Sequence, residues 1–239
     1  LDALLGALDD PSATVRFSLV GALAHAAGDG SALGAPQRER LVAKLEALLR
    51  RDADPGVRSR AATALGDCGA AANLAALWQG VLAAEDGRVQ EKAWAAFVEV
   101  LARAGNLPLL QEWDRTLTGA RQGPRRLQLL AEVAARWQKR PELKDGAARA
   151  QEALVQAQLD LGKWAAAGPV VRELLARPGT DAERERRLRW LLTVGEQALQ
   201  EGNRPEAARA ARAAEPFLSP GAKLSASFER LRKEAADKP

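Results

Sequence analysis

Along residues 50–71 the apolar positions return with a helical step. Val57, Ala61, Ala64, Leu65 and Cys68 stand at i, i+4, i+7, i+8 and i+11, on one face of an α-helix. The same succession of acidic turn residues, a valine, small apolar residues and a glycine recurs at 9–30 and 84–105. The counterparts are Val15, Leu19, Ala22, Leu23 and Ala26 in the first copy, and Val89, Ala93, Ala96, Phe97 and Val100 in the third. Between these stretches lie helices of the same period, carrying Leu41, Val42, Leu45, Leu48 and Leu49, then Leu74, Leu77, Trp78, Val81 and Leu82. Asp54-Pro55 is a good helix start, because the carboxylate accepts orphan backbone N–H groups and proline lacks one where none is needed. Helix pairs repeating every 30 to 45 residues or so predict a solenoid.

Beyond "TLTGARQGPRR" (116–126) the pattern changes, and this connection is the expected domain boundary. Helices continue. "LGKWAAAGPVVREL" (161–174) aligns with "EGNRPEAARAARAA" (201–214) at an offset of 40, with Gly162 matching Gly202 and Ala167 matching Ala207. Thr180 to Glu183 reads as a capping box, Asp145 as the cap of the next helix, and Ser219-Pro220 as the start of the last one. The charged tail from Arg230 to Pro239 is expected to fray.

Asp54, Pro55, Val57, Arg58, Ala61, Ala64 and Leu65 resemble a HEAT repeat of the short bacterial type, and the resemblance covers residues 1–120. It implies a ladder between neighbouring repeats in which a turn aspartate meets the arginine after the valine. Asp10 or Ser12 would serve with Arg16, and Asp54 with Arg58; Gln90 replaces the arginine in the third copy. Residues 121–239 resemble tetratricopeptide repeats, with Trp164 in the aromatic position and Arg204 departing from it. The expected fold is an all-α, right-handed α-solenoid of stacked antiparallel helix pairs.

Composition agrees with this pattern. The chain is 47% hydrophobic but 4% aromatic, with no Tyr, Met or Ile, so Ala and Leu supply most of the apolar surface. Both rank high in helix propensity. A chain opening at Leu1 inside a periodic pattern reads as a piece of a larger bacterial protein. No stretch reaches the roughly 18 consecutive apolar residues of a membrane span. Membrane association is therefore expected only through the parent protein or an assembly, and the expected compartment is the cytoplasm. The net charge of +4 is unevenly spread. Residues 1–120 carry 12 basic and 15 acidic side chains and residues 121–239 carry 23 and 16, so the halves stand at −3 and +7. An acidic protein partner would prefer the second half.

Few residues offer chemistry. One cysteine excludes an internal disulfide, and one histidine removes most transition-metal sites. Cys68 falls among buried positions late in its helix, where the dipole opposes a thiolate. His25 flanks its apolar stripe. Asp9-Asp10 and Asp52-Asp54 open helices and read as caps. Walker, dinucleotide, nucleophile-elbow and zinc motifs are absent, so no catalytic residue, metal or cofactor is expected. Trp78, Trp113 and Trp137 lie on apolar stripes. Trp190 points nearly opposite the stripe of Leu188, Leu191, Leu192 and Leu199, in a row with Arg186 and Val194. It is either a partner anchor or part of a second buried face. The candidate partner-binding residues are Arg186, Trp190 and Arg187, with Arg121, Arg125 and Arg126 in the connection. Glu183 and Glu185 are interleaved with the basic run at 184–189, and nucleic-acid binding calls for a stronger excess of charge on one stripe, so nucleic acid is not an expected partner. The expected function is a non-catalytic scaffold for protein–protein interaction. One alternative is the solenoid part of a membrane-coat-like assembly protein, by resemblance of architecture. Another is an enzyme resembling the HEAT-like bilin lyases.

Overall fold

Aspartates cap the starts of two helices in the first half of the chain. Asp54 Oδ1 accepts from the Val57 amide at 3.0 Å ahead of Pro55, and Asp86 accepts from the amides of Arg88 and Val89. The computed structural model describes residues 2–28, 33–219 and 223–236. Among them are thirteen α-helices, four short 3-10 turns and no strands. Packing divides the chain into two units, Leu1–Asn106 and Leu107–Pro239. The division falls one helix before the expected boundary. The 116–126 connection is a turn within the second unit.

The first unit holds α1 (Asp2–Gly6), α2 (Ala13–Gly28), α3 (Ala35–Arg51), α4 (Pro55–Cys68), α5 (Leu74–Ala83) and α6 (Gly87–Ala104). Helices pack on their sequence neighbours and on the helix two places along: α3 on α4, α5 on α6, α2 on α4, α4 on α6. That is the order of an all-α solenoid. Lying between α2 and α6, α4 buries two faces. Val57, Ala61, Ala64 and Leu65 form the expected stripe, while Gly66 lies so near α6 that an added Cβ would sit 3.1 Å from Ala96 Cα. In α6 every expected stripe residue is buried, and Trp94 stacks on Phe97 with ring centroids 5.5 Å apart. Trp78 meets Trp94 edge-on at 6.4 Å.

The first copy departs from the expected stripe. Val20, Leu23, Ala24 and Ala27 are its buried residues, whereas Val15 is 39% exposed and Ala22 is exposed. Among the described residues α4 is the main helix packed on α2, which α3 touches only lightly, whereas α4 lies between α2 and α6. Leu82, near the end of α5, is 52% exposed rather than on the buried stripe.

The second unit holds α7 (Leu107–Gly119), α8 (Gly123–Gln138), α9 (Lys144–Asp160), α10 (Trp164–Leu175), α11 (Asp181–Gln200), α12 (Arg204–Ala214) and α13 (Lys223–Ala236). Its packing follows the same rule, with α9 on α11, α11 on α13 and α10 on α12. Gly162 and Gly202, matched at an offset of 40, both take left-handed backbone, with φ of 67° and 76°. That conformation costs glycine least and ends α9 and α11 alike. The capping box forms, with the Thr180 amide donating to Glu183 Oε2 at 2.9 Å and the Glu183 amide donating to Thr180 Oγ1 at 3.3 Å. Asp145 lies inside the first turn of α9, two residues past the cap position, which Leu143 holds. The segment expected to fray is helical as far as Ala236, because Phe228 and Leu231 are buried. Pro220, part of the start expected for the last helix, and residues 237–239 lie outside the described residues. Trp137 is fully buried, Trp113 is half-buried, and buried Trp164 donates to Glu201 Oε1 at 2.6 Å.

Candidate interaction surfaces

The expected ladder exists in the first unit, but with a different aspartate. Arg16 donates through Nε and Nη2 to the two carboxylate oxygens of Asp52 in the next repeat, at 2.7 and 2.8 Å. Its Nη1 donates to the carbonyls of Asp10 and Pro11, at 2.7 and 3.0 Å. Arg58 repeats that inner contact, its Nη1 donating to the carbonyls of Asp52 and Ala53 at 2.7 and 3.3 Å. Gln90 keeps it too, donating to the Ala84 carbonyl at 2.6 Å. In all three copies the side chain after the valine reaches back six residues. Asp54, expected to meet Arg58, is a helix cap instead, and the carboxylate position of the ladder runs Asp10, Asp52, Ala84. The spacing carried this signal, since Asp10 and Asp52 each stand six residues before their arginine.

Asp52 is the best-anchored carboxylate of this unit. Burial pushes it up, but the Arg16 hydrogen bonds, the Asp54 amide and the charges of Arg16 and Arg58 outweigh burial and hold it below the usual aspartate range. Two open grooves line this face. One is bounded by Asp9, Asp10, Arg16, Lys44 and Asp52, where Lys44 pairs with Asp9. The other is bounded by Arg50, Arg51, Asp52, Arg58, Ala84 and Glu85.

The six arginine and tryptophan candidates occupy different environments. Arg187 is buried, donating to Glu152 Oε1 through Nε and Nη2 at 3.1 and 2.9 Å and to the Leu174 carbonyl at 3.0 Å. Arg126 is also buried, pairing with Asp114 at 2.6 Å and Asp160 at 2.9 Å. These two are structural cations, turned inward because a carboxylate on a neighbouring helix meets each of them. Trp190 is 8% exposed and packs in the core of the second unit, with Nε1 donating to Gln156 Oε1 at 3.0 Å. Of the two faces weighed from sequence, it belongs to a second buried one. Arg125 is half-buried, and Arg121 is exposed in a left-handed turn at φ 55°.

Arg186 also meets solvent, and it does so beside other charged side chains. Its side chain is 45% exposed, its guanidinium lies 5.5 Å from the Trp190 ring centroid, and Nη2 donates to Glu152 Oε2 at 2.6 Å. With Gln111, Arg149, Glu152 and Gln156 it lines an open groove of about 390 Å3 whose inner edge is Trp190. The sequence pattern passed over Glu152, although it stands on the buried face of α9 between Ala150 and Val155. A carboxylate there was the signal that arginines would converge.

The groups with reactive potential sit apart from these grooves. Burial, then the charge of Asp67, pushes the Cys68 thiol up, and its half-buried Sγ donates to the Ala64 carbonyl at 3.1 Å. His25 is exposed on α2. Among the described residues no group of three or more His, Cys, Asp or Glu is arranged to hold a metal, and no helix is long and apolar enough to cross a membrane.

Comparison with solved structures gives a crystal structure of an engineered protein at 18% identity and TM-score 0.40, covering 98% of this chain and 95% of that one. A designed armadillo repeat protein is similar at 17% identity and TM-score 0.40, covering 98% and 99%. No curated protein matches the chain. Residues 1–97 match the family model described as HEAT repeats, the repeat type in which the arginine–aspartate ladder of α2 to α4 was expected.

Proposed function

We propose that the chain is a non-catalytic scaffold that binds a protein partner along the open faces of its helix stacks. The carrying observation is that the cavities around its clustered charged side chains are open surface grooves between neighbouring helices, not enclosed pockets. Grooves of this kind suit a side chain or an extended segment of another protein, since affinity then comes from a few anchors on a rigid surface. A Cys68 thiol held protonated and pointed at its own helix supports the non-catalytic reading. The lyase and coat-assembly expectations gain no support from the geometry.

In the second unit the groove beside Arg186 is the proposed contact for an acidic partner. Arg149, Arg186 and Arg187 surround Glu152 there, and Arg186 is half in solvent over an aromatic face. The test is affinity capture with the full chain and with Arg186→Gln, after thermal melts establish that both are folded. Proteins held by the parent chain at low salt should be released as ionic strength rises, and should be missing from the variant. Identical capture by both chains would remove this groove from the reading.

A further inference from the structure

The ladder of the first unit is missing one rung, and the gap opens into a groove. Arg16 and Arg58 are anchored alike, each with Nη1 on backbone carbonyls six and five residues back. The outer edge of Arg16, Nε and Nη2, closes on both oxygens of Asp52 in the following repeat. The position that should offer Arg58 the same carboxylate is Ala84, which has no side-chain acceptor. Among the described residues Arg58 has the Asp52 and Ala53 carbonyls for partners, both through Nη1.

We infer that this outer edge of Arg58 is a docking site for a carboxylate side chain of an acidic partner segment, which supplies the rung that Ala84 omits. The inference rests on the scaffold reading above. Space is present, because Arg58 and Ala84 line an open groove of about 570 Å3 with Asp52, Arg50, Arg51 and Glu85. The charge fits as well. Asp52 is already bound by Arg16, so three arginines face the groove against Glu85. A carboxylate is the expected anion because the same guanidinium edge in the preceding repeat takes one in bidentate fashion, the geometry that arginine favours. The groove is basic although the first half of the chain is acidic, so a partner chosen by net charge alone would be steered elsewhere.

Two measurements on the full chain separate the site from the function. Ala84→Asp should fill the rung from within and raise Tm by about 2 to 4 °C, the rise expected for roughly 1 kcal/mol in a chain of this size. The gain should vanish when Arg58→Gln is added. No gain, or a gain that survives Arg58→Gln, would show that Arg58 does not present its outer edge as Arg16 does. This result is independent of whether the chain is a scaffold. The second measurement is a titration with a short acetylated, amidated glutamate-rich peptide, followed by the Arg Nε–H resonances in NMR. The Arg58 signal should move in the parent chain and stay fixed in Ala84→Asp, with a glutamine-rich peptide inert in both. An unmoved Arg58 signal at millimolar peptide, or equal movement in Ala84→Asp, would overturn the docking proposal while leaving the scaffold reading to the Arg186 test. Equal movement with inorganic phosphate would also overturn it, by showing an unselective anion site.

Discussion

Asp52 is a carboxylate whose side chain keeps only 3% of its exposure, and it remains ionised because its environment outweighs burial. A carboxyl held below its ordinary value contributes stability that is fully present above the unfolded value, near 3.9, and is lost as pH falls through the lower folded value. The Arg16–Asp52 rung should therefore be intact at neutral pH and should weaken only below about pH 4. Acid unfolding of the parent chain beside Asp52→Asn checks this. The difference in stability between the two should be constant from neutral pH down to about 5, then shrink as the parent loses its carboxylate. A difference that is already shrinking near neutral pH would contradict the assignment. The rung was half legible in sequence. The arginine is legible from its place after the valine, but the resemblance pairs Arg16 with Asp10 or Ser12 and Arg58 with Asp54, and Asp52 stands in neither pair. Physically the cap position points at its own helix's amides, and only the residue two before it can reach the neighbouring repeat.

At the scale of an element, α11 shows why periodicity locates helices and leaves their contacts open. Its capping box and its Leu188–Leu191 stripe follow from local spacing, and both are present. Its second face does not, because that face is built by residues 34 and 35 positions earlier. Arg186 and Arg187 meet Glu152, and Trp190 meets Gln156. No window of one helix holds such pairs. Reading Trp190 against one stripe made it look exposed, whereas a solenoid helix is covered by the helix two places away. The centre of this second face is Glu152, which takes two bonds from Arg187 and one each from Arg186 and Arg149. Glu152→Gln would leave the Arg187 guanidinium buried without its counter-charge, and removing one partner of a buried pair costs about 3 to 5 kcal/mol. Urea unfolding should place the midpoint of the variant correspondingly lower at an unchanged m-value. A loss under about 1 kcal/mol would mean that Arg187 finds water or another acceptor, and that the pair behaves as a surface one.

At the scale of the molecule, the packing order predicts how damage spreads. In a stack where each helix touches its neighbours and the helix two places along, stability is close to a sum of local and nearest-neighbour contributions. The first unit offers a clean case. The Arg16–Asp52 rung joins the repeat of α2 to the loop between α3 and α4, while α6 is held by α4 and α5 through Trp94, Phe97 and Trp78. Arg103 of α6 also donates to the carbonyls of Gly66 and Gly69 at 2.9 and 2.7 Å, closing the C-terminal end of α4 from the far side of that helix. Breaking the rung with Asp52→Asn should raise amide hydrogen exchange in α2 and at the start of α4, because those amides open by local separation of the first repeat. Exchange in α6 should stay at its parent rate, since none of the bonds that hold it is touched. Mass-spectrometric exchange on the full chain reads both helices in one experiment. Equal acceleration in α2 and α6 would show that the unit opens as a single cooperative block, in which case repeats could not yield one at a time to a partner. A graded response confined to α2 and the start of α4 would fit a stack whose first repeat can separate while α5 and α6 stay packed.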